Sequence, residues 1–172
     1  MNRGIVIAVA ATGLLVGGCG SSVAGAPAPP AVGDASGVDM CTILTEAELS
    51  QLGIELDSRE PKDRLGEVGC QWVGKPFTLD LERGEDTVAD YVKRRNDPAF
   101  VTFAENTVNG RAGAQFGVRR SGNQCAQLID GGPVSLLVSV AASSSLGPPI
   151  DPCAEALRIA ELIEPRLPKA GT

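Results

Sequence analysis

The fold is decided by residues 68–82, which read VGCQWVGKPFTLDLE. Apolar residues alternate with other residues in each half of this stretch, at Val68, Cys70 and Trp72 and then at Phe77, Leu79 and Leu81. A period of two is the period of a strand that buries one face. The segment Gly74-Lys75-Pro76 between the halves is typical of a turn. The stretch therefore predicts a β-hairpin.

The same pattern returns further along the chain. One strand face is formed by Ala112, Ala114, Phe116 and Val118. After a turn at residues 121–123, residues 124–130 run back. A second turn at Gly131-Gly132 leads into the most apolar strand, which contains Val134, Leu136, Val138 and Val140. Residues 100–105 are a weaker candidate for an edge strand. These segments predict a mainly antiparallel sheet.

Three segments have the pattern of helices. Thr45 and Glu48 have the spacing of a capping box, which predicts a first helix over residues 45–52. Residues 86–96 predict a middle helix with Asp86 as its N-cap. Asp151 and Pro152 suit the start of a last helix. Its apolar stripe is Ala154, Leu157, Ala160, Ile163 and Leu167. We expect an α+β fold in which the N-terminal and C-terminal helices pack on the sheet.

The N-terminus has the pattern of an export signal. Arg3 precedes an apolar stretch at residues 5–16, which is too short for a membrane span of about 20 residues. The stretch ends in Val16-Gly17-Gly18-Cys19, which resembles the lipobox of bacterial lipoproteins. We expect a signal peptide at residues 1–18 and acyl chains such as palmitate on Cys19. The alternative is a signal-anchor helix with an incidental cysteine.

Residues 20–38 consist almost entirely of Gly, Ala, Ser and Pro. Such a composition buries too little apolar surface to offset the entropy of chain ordering. We therefore expect a disordered tether from Cys19 to residue 38, with a reach of roughly 25 Å. Residues 39–172 then form a single domain.

The composition excludes several classes of function. The chain has 172 residues, a formal net charge of −6 and no histidine. It is too short for a two-lobed solute receptor, which needs two domains of ~150 residues. Its acidic balance argues against nucleic acid as a partner. Without histidine there is no Ser-His-Asp or Cys-His catalytic system, and the imidazole ligands of most zinc enzymes are missing. We expect neither a metal nor a cofactor.

Four cysteines remain besides Cys19. An even number in an exported chain indicates two disulfides, which four cysteines can form in three ways. We favour Cys41–Cys70 and Cys125–Cys153, because each pair joins the start of a predicted helix to a predicted strand. The alternative is a Cys₄ zinc site, which the absence of a C-x₂-C pair disfavours.

Candidate chemistry centres on the carboxylates after Leu79. Asp80 and Glu82 share one strand face, and Glu85 and Asp86 follow. They suit either a catalytic carboxylate pair or a cation site. The interpretation that we favour is a solvated outer face of the sheet, because no third convergent group can be identified.

Other candidates have ordinary structural explanations. Arg94-Arg95 and Arg119-Arg120 suit an anionic polymer, but also a helix end and a charged turn. We expect Trp72 to cover a disulfide in the core and Tyr91 to pack on the apolar face of its helix. Gly110, Gly113 and Gly117 lack the spacing of a phosphate-binding loop.

Several short segments follow one another in a recognisable order: Asp39-Met40-Cys41-Thr42-Ile43-Leu44-Thr45, Leu49, Leu52-Gly53, Cys70-Gln71-Trp72, Val108-Asn109-Gly110-Arg111-Ala112, Cys125, Asp151-Pro152-Cys153, Ala156 and Leu167-Pro168. Over residues 39–168 this succession resembles the actinobacterial lipoproteins classified as domain of unknown function 3558. The resemblance implies export and acylation, and it brings no activity, ligand or catalytic residue. The layout with two disulfides is also similar in outline to extracytoplasmic sensor domains of actinobacterial kinases, as a fold-level analogy.

The leading hypothesis is a non-enzymatic binding or accessory module on the outer side of the cell membrane. Its expected partners are the membrane, through the lipid anchor, and an envelope protein or small ligand. One alternative is a carboxylate-dependent hydrolase of cell-wall glycan, which needs two carboxylates about 5–9.5 Å apart in a cleft. Another is a lipid carrier, which needs a cavity of several hundred Å³.

Overall fold

The computed structural model describes residues 32–118, 123–143 and 149–169. The predicted signal peptide, Cys19 and residues 20–31 of the predicted tether lie outside the described residues. The helices are α1 (Glu46–Gln51), α2 (Val88–Lys93) and α3 (Pro152–Ile163), with short 3₁₀ turns at Leu56–Ser58 and Glu164–Arg166. The strands are β1 (Glu60–Arg64), β2 (Glu67–Val73), β3 (Phe77–Gly84), β4 (Phe100–Val108), β5 (Arg111–Val118), β6 (Gln124–Asp130) and β7 (Ser135–Ala142). No helix in these ranges has the length and apolarity needed to span a membrane.

The seven strands described here form one sheet in the order β1-β2-β3-β7-β6-β5-β4. Every neighbouring pair is antiparallel. Two meanders, β1 to β3 and β4 to β7, meet along the β3–β7 pair, which extends from Phe77 opposite Ala142 to Gly84 opposite Ser135. The predicted antiparallel α+β fold is therefore confirmed.

The hairpin predicted from residues 68–82 is β2 and β3. Cys70 lies opposite Leu81 and Trp72 lies opposite Leu79, so the two apolar sets share one face. Strand β1 was not predicted because its sequence, EPKDR, has no apolar alternation. It is an exposed edge, where charged side chains and proline discourage pairing with other chains.

Helix α3 covers one face of the sheet and closes the main core. Asp151 caps it, as predicted, by accepting hydrogen bonds from the backbone N–H groups of Cys153 (2.9 Å) and Ala154 (3.3 Å). Its buried residues are Ala156, Ile159, Ala160 and Ile163. The predicted stripe was wrong in part, because Ala154 is exposed and Leu157 is only half-buried. The disulfide at Cys153 sets the rotation of the helix, and that constraint is not visible in its periodicity.

The two shorter helices begin at capping boxes. In α1, Thr45 and Glu48 form the predicted box, with the Thr45 N–H donating to Glu48 Oε2 at 2.8 Å. The helix buries only Leu49. In α2 the N-cap is Thr87, with Asp90 as its reciprocal partner, so the predicted cap at Asp86 was wrong. Thr87 is followed three residues later by Asp90, whose acidic side chain completes the capping box. No acidic residue lies three positions after Asp86.

The four cysteines form the disulfides Cys41–Cys70 and Cys125–Cys153, the pairing that the sequence favoured. Because all four sulfur atoms are bonded, the alternative Cys₄ zinc site is excluded. Trp72 lies beside Cys70 in the main core and is 2% exposed, as expected for a packing residue. Each bond ties the start of a helical segment to the sheet.

The predicted boundary between tether and domain was wrong. Residues 32–38 belong to the folded part, since Val32 bridges Lys169 and the Ala35 N–H donates to the Gly131 carbonyl at 2.9 Å. Ala35 is fully buried in the main core. Gly33 passes so close to Pro168 that a Cβ there would lie 2.8 Å from the Pro168 carbonyl carbon. Small residues in this segment are needed for close packing, whereas composition alone indicated disorder.

A buried ion pair joins β5 to the C-terminal end. Arg111 is 1% exposed, and its Nε donates to Glu164 Oε1 at 3.0 Å. Its two terminal nitrogens donate to the carbonyls of Asp130 and Pro168, both at 3.0 Å. One guanidinium thus holds three separate parts of the chain.

We expect the substitution Arg111→Met to lower the free energy of unfolding by about 3–5 kcal/mol, because it leaves Glu164 buried without a counter-charge. Adding Glu164→Leu is expected to restore part of the loss. Urea unfolding of residues 20–172 measures both changes, with Arg158→Met as an exposed control worth less than about 1 kcal/mol. A loss as small as that of the control would contradict the structural role of the pair.

Candidate ligand-binding groove

The face of the sheet opposite α3 contains an open groove of about 570 Å³. The six-residue helix α2 packs on β5 and β6 and leaves the neighbouring part of this face uncovered. The floor of the groove includes Ala126, Leu137 and Ser139. An acidic wall is formed by Asp80 and Glu82 of β3, and an aromatic wall by Tyr91, Phe100 and Phe116.

The two carboxylates of the acidic wall share one face of β3, as predicted. The expectation that this face is solvated was wrong, because Asp80 is 5% exposed and Glu82 is 9% exposed. Lys62 and Arg64 of β1 and Tyr91 of α2 line the same groove. Glu85, which the sequence grouped with the two carboxylates, is exposed and does not line the groove.

Asp80 has polar neighbours on both sides. The register places it between Gln71 of β2 and Ser139 of β7. Its Oδ1 accepts hydrogen bonds from Gln71 Nε2, at 2.8 Å, and from Lys62 Nζ, which forms an ion pair with it. The charge of Asp80 is therefore compensated within the protein.

Glu82 has no such neighbours. The same register places it between Gly69 and Leu137, neither of which has a polar side chain. Within the described part of the chain, its carboxylate forms no hydrogen bond and no ion pair. Gly69 has no room for a side chain, since a Cβ there would lie 1.9 Å from the Leu81 carbonyl oxygen. The register thus leaves one largely enclosed carboxyl group without a partner among the described residues, and its oxygen atoms open onto the groove.

The surroundings of Glu82 raise its pKa to about 7. Burial is the largest cause, followed by the negative charges of Asp80 and Glu67, while the charges of Lys62 and Arg64 act in the opposite direction. At neutral pH the carboxyl group is therefore divided between its protonated and ionised forms.

The aromatic wall belongs to a cluster that contains three of the four phenylalanines and the one tyrosine of the chain. Phe116 is its centre, with ring centroids at 4.8 Å from Phe100, 5.6 Å from Tyr91 and 6.2 Å from Phe103. Tyr91 is buried against this cluster, in agreement with its predicted packing role. Its hydroxyl donates to Glu67 Oε1 at 3.2 Å, and burial followed by the Glu67 charge raises the pKa of Tyr91.

The arginine pair at the end of α2 is engaged with carboxylates. Arg94 binds Asp86, and its guanidinium lies 4.9 Å from the centroid of the Tyr91 ring. Arg95 lies 3.3 Å from Glu105 Oε1. These ion pairs favour the interpretation of Arg94-Arg95 as an ordinary helix end. They argue against a site for an anionic polymer. The second pair, Arg119-Arg120, lies outside the described residues.

Sequence reasoning missed Glu67, Phe100 and Ser139 as groove residues. Each of them contributes only one groove-facing side chain from a different strand. The alternation of side chains along a strand, which places Asp80 and Glu82 on one face, also places Glu67 and Ser139 on that face. This becomes visible only when the pairing of β3 with β2 and β7 is known. Phe100 lies at the start of an edge strand whose apolar pattern is weak.

Comparison with protein families gives one match. The family model described as "protein of unknown function (DUF3558)" matches residues 14–166. Searches of curated proteins and of solved structures find no match. The family description names no activity, so the function has to be argued from the groove.

The raised pKa of Glu82 predicts a change in stability with pH. Between the unfolded pKa of about 4.5 and the folded pKa of about 7, the folded state binds more protons, so the free energy of unfolding falls as the pH rises. Glu82→Gln removes this effect. We expect its advantage over the unmodified chain to grow by about 1–3 kcal/mol from pH 4.5 to pH 8, since one pKa unit corresponds to about 1.4 kcal/mol.

Urea unfolding of residues 20–172 at the two pH values measures this difference. The exposed Glu85→Gln is the matched control and should follow the unmodified chain at both pH values. If the Glu82→Gln advantage were the same at pH 4.5 and pH 8, the carboxyl group would not be desolvated in solution.

Proposed function

The chain belongs to the DUF3558 family of proteins of unknown function, and we propose that this member is an exported, lipid-anchored module that binds a small ligand in the groove. The observation that carries the proposal is the carboxyl group of Glu82, which is largely enclosed, has no partner among the described residues and lines the same space of about 570 Å³ as an aromatic wall. The proposed location is the outer side of the cell membrane.

The anchor is supported by the N-terminal sequence. Residues 1–18 have the pattern of a signal peptide, and Cys19 follows Val16-Gly17-Gly18 as in a lipobox. The family match begins at residue 14 and so includes Cys19. Because the folded part begins by Val32, the proposed tether is reduced to residues 20–31, and a coil of this length and composition would reach about 20 Å.

Ligand binding is supported by the size and lining of the groove. Small-molecule sites have volumes of roughly 300–1,000 Å³ and combine apolar walls with a few polar groups. The groove has this volume and this mixture. The partial burial of Glu82 disfavours its ionised form, and an apolar residue or glutamine would avoid that cost. The position of Glu82 on the wall of the groove supports a role in binding.

A second candidate is the carboxylate-dependent hydrolase. Asp80 and Glu82 are two residues apart on one strand, so their side chains lie next to each other on one face of the sheet, as a pair of catalytic carboxylates requires. The raised pKa of Glu82 suits a general acid. Against this function, Lys62 and Gln71 both occupy Asp80 Oδ1. The lipid carrier has less support, because the groove is open and carries charged side chains on its walls.

The anchor predicts that Cys19→Ser abolishes acylation. In a bacterium that expresses the full chain, an alkyne analogue of palmitate should label the unmodified protein in the membrane fraction. The Cys19→Ser variant should take up no label, because serine lacks the thiol to which the lipid is attached, and Ser22→Ala is the control that should be labelled normally. Label on Cys19→Ser would contradict the assignment of the anchor.

If the groove is the binding site, small molecules should perturb the residues that surround it. We expect ligands from a fragment library, screened by NMR on residues 20–172, to shift the amide signals of β3, β7 and α2. Ala126→Trp fills the floor of the groove and should abolish these shifts. Ala104→Trp, the same change on an exposed part of β4, should leave them intact.

Two results would contradict this function. One is a set of ligands that bind elsewhere on the domain or that still bind to a folded Ala126→Trp variant. The other is reproducible release of reducing ends from purified cell-wall glycan that is lost in Glu82→Gln, which would replace binding by hydrolysis.

A further inference from the structure

We infer that the groove binds a small organic monocation, with an ammonium or guanidinium group on Glu82 and an apolar, preferably aromatic, body against Tyr91, Phe100 and Phe116. This inference rests on the proposed groove function and names the chemical class of its ligand. It follows from the charge balance around Glu82, the composition of the opposite wall and the number of oxygen atoms available.

Glu82 lies among charged side chains around the groove, and no basic side chain of the described residues pairs with it. Lys62 of β1 is committed to Asp80, and Arg94 of α2 is committed to Asp86. Arg64, at the end of β1, is exposed and also lines the groove, but it affects Glu82 through its charge and not through a hydrogen bond. Glu67 and Asp80 add negative potential on the same side. A cation placed here gains from all three carboxylates, whereas an anion is repelled by them.

The opposite wall suits the body of such a cation. Tyr91, Phe100 and Phe116 present aromatic surface to the groove, and Leu137 continues it across the floor. The position of the Arg94 guanidinium, 4.9 Å from the Tyr91 ring centroid, shows that this wall already accommodates a cation at its surface. A ligand that is charged at one end and apolar at the other matches both walls.

The acidic wall is less suited to a metal ion. Calcium takes six to eight oxygen ligands, and one oxygen of Asp80 already receives two hydrogen bonds. Among the described residues, no group of three or more side chains of the ligating types is placed to hold a metal. A single open carboxylate matches the single charge of an ammonium or guanidinium group.

The experiment compares three probes of similar shape and different charge: 2-phenylethylammonium, 2-phenylethanol and 3-phenylpropanoate. Each is titrated into residues 20–172, which include every described residue, and followed by NMR and calorimetry. We expect the ammonium to shift groove signals and to bind about tenfold more tightly than the alcohol. The carboxylate should bind least.

Two further measurements test whether the charge of Glu82, and not its shape, determines the affinity for the ammonium. Glu82→Gln keeps the shape and should weaken ammonium binding at least about tenfold, while the exposed Glu85→Gln should leave it unchanged. Ammonium affinity should rise about tenfold from pH 5.5 to pH 8 as Glu82 ionises, and this rise should vanish in Glu82→Gln.

The outcomes distinguish this inference from the function on which it rests. If the alcohol or the carboxylate binds the groove as tightly as the ammonium, or if Glu82→Gln keeps full ammonium affinity, the cation assignment is overturned and groove binding stands. If none of the probes shifts groove signals, the cation assignment is also overturned. The groove function itself fails only if the broader fragment screen finds no ligand there.

Discussion

The register of β3 between β2 and β7 is the constraint on which the rest of the structure depends. Because side chains alternate along a strand, this register sends Leu79 and Leu81 into the main core and Asp80 and Glu82 to the opposite face. A slip of one residue would exchange the two sets and bury both carboxylates under α3. On the core side Cys70 lies opposite Leu81, and its bond to Cys41 fixes which face of β2 is turned to the core. The register is held by the close approach of Gly69 to the β3 backbone.

The two faces of the sheet differ in how firmly they are closed. On the core face, α3, both disulfides and the Arg111–Glu164 pair join distant parts of the chain. A closed loop of about 30 residues contributes roughly 3–4 kcal/mol per disulfide on the chain-entropy model. On the other face only the short α2 covers the strands, and the groove beside it remains open. A scaffold closed so firmly on one face can accommodate an unpaired carboxylate on the other without unfolding.

Local patterns in the sequence predicted much of this arrangement. The hairpin of β2 and β3, the box at Thr45 and the cap at Asp151 each depend on residues a few positions apart, so they are readable from the chain. The burial of Glu82 is not, because it depends on Gly69 and Leu137 being its neighbours in the sheet. The packing of Ala35 under the Gly131 turn joins residues nearly a hundred positions apart, and a small side chain carries no periodic signal. The carboxylate pair was thus predicted on the correct strand face, but its environment required the tertiary structure.

Besides the carboxyl group of Glu82, a second feature that is unfavourable for the isolated domain lies at the rim of the groove. Leu65 and Gly66 form the β1–β2 turn with φ values of 55° and 82°. Turns with two positive φ values favour Asn-Gly, because a residue with a large side chain pays about 1–2 kcal/mol in the left-handed region. Leu65 is also fully exposed, so neither backbone preference nor core packing explains a leucine at this position. It lines the groove together with Glu82. An apolar side chain held at the rim and a carboxylate held at the wall are both costly to the isolated domain, and both face the same space. The proposed ligand would account for both, because it brings an apolar surface to one and a positive charge to the other.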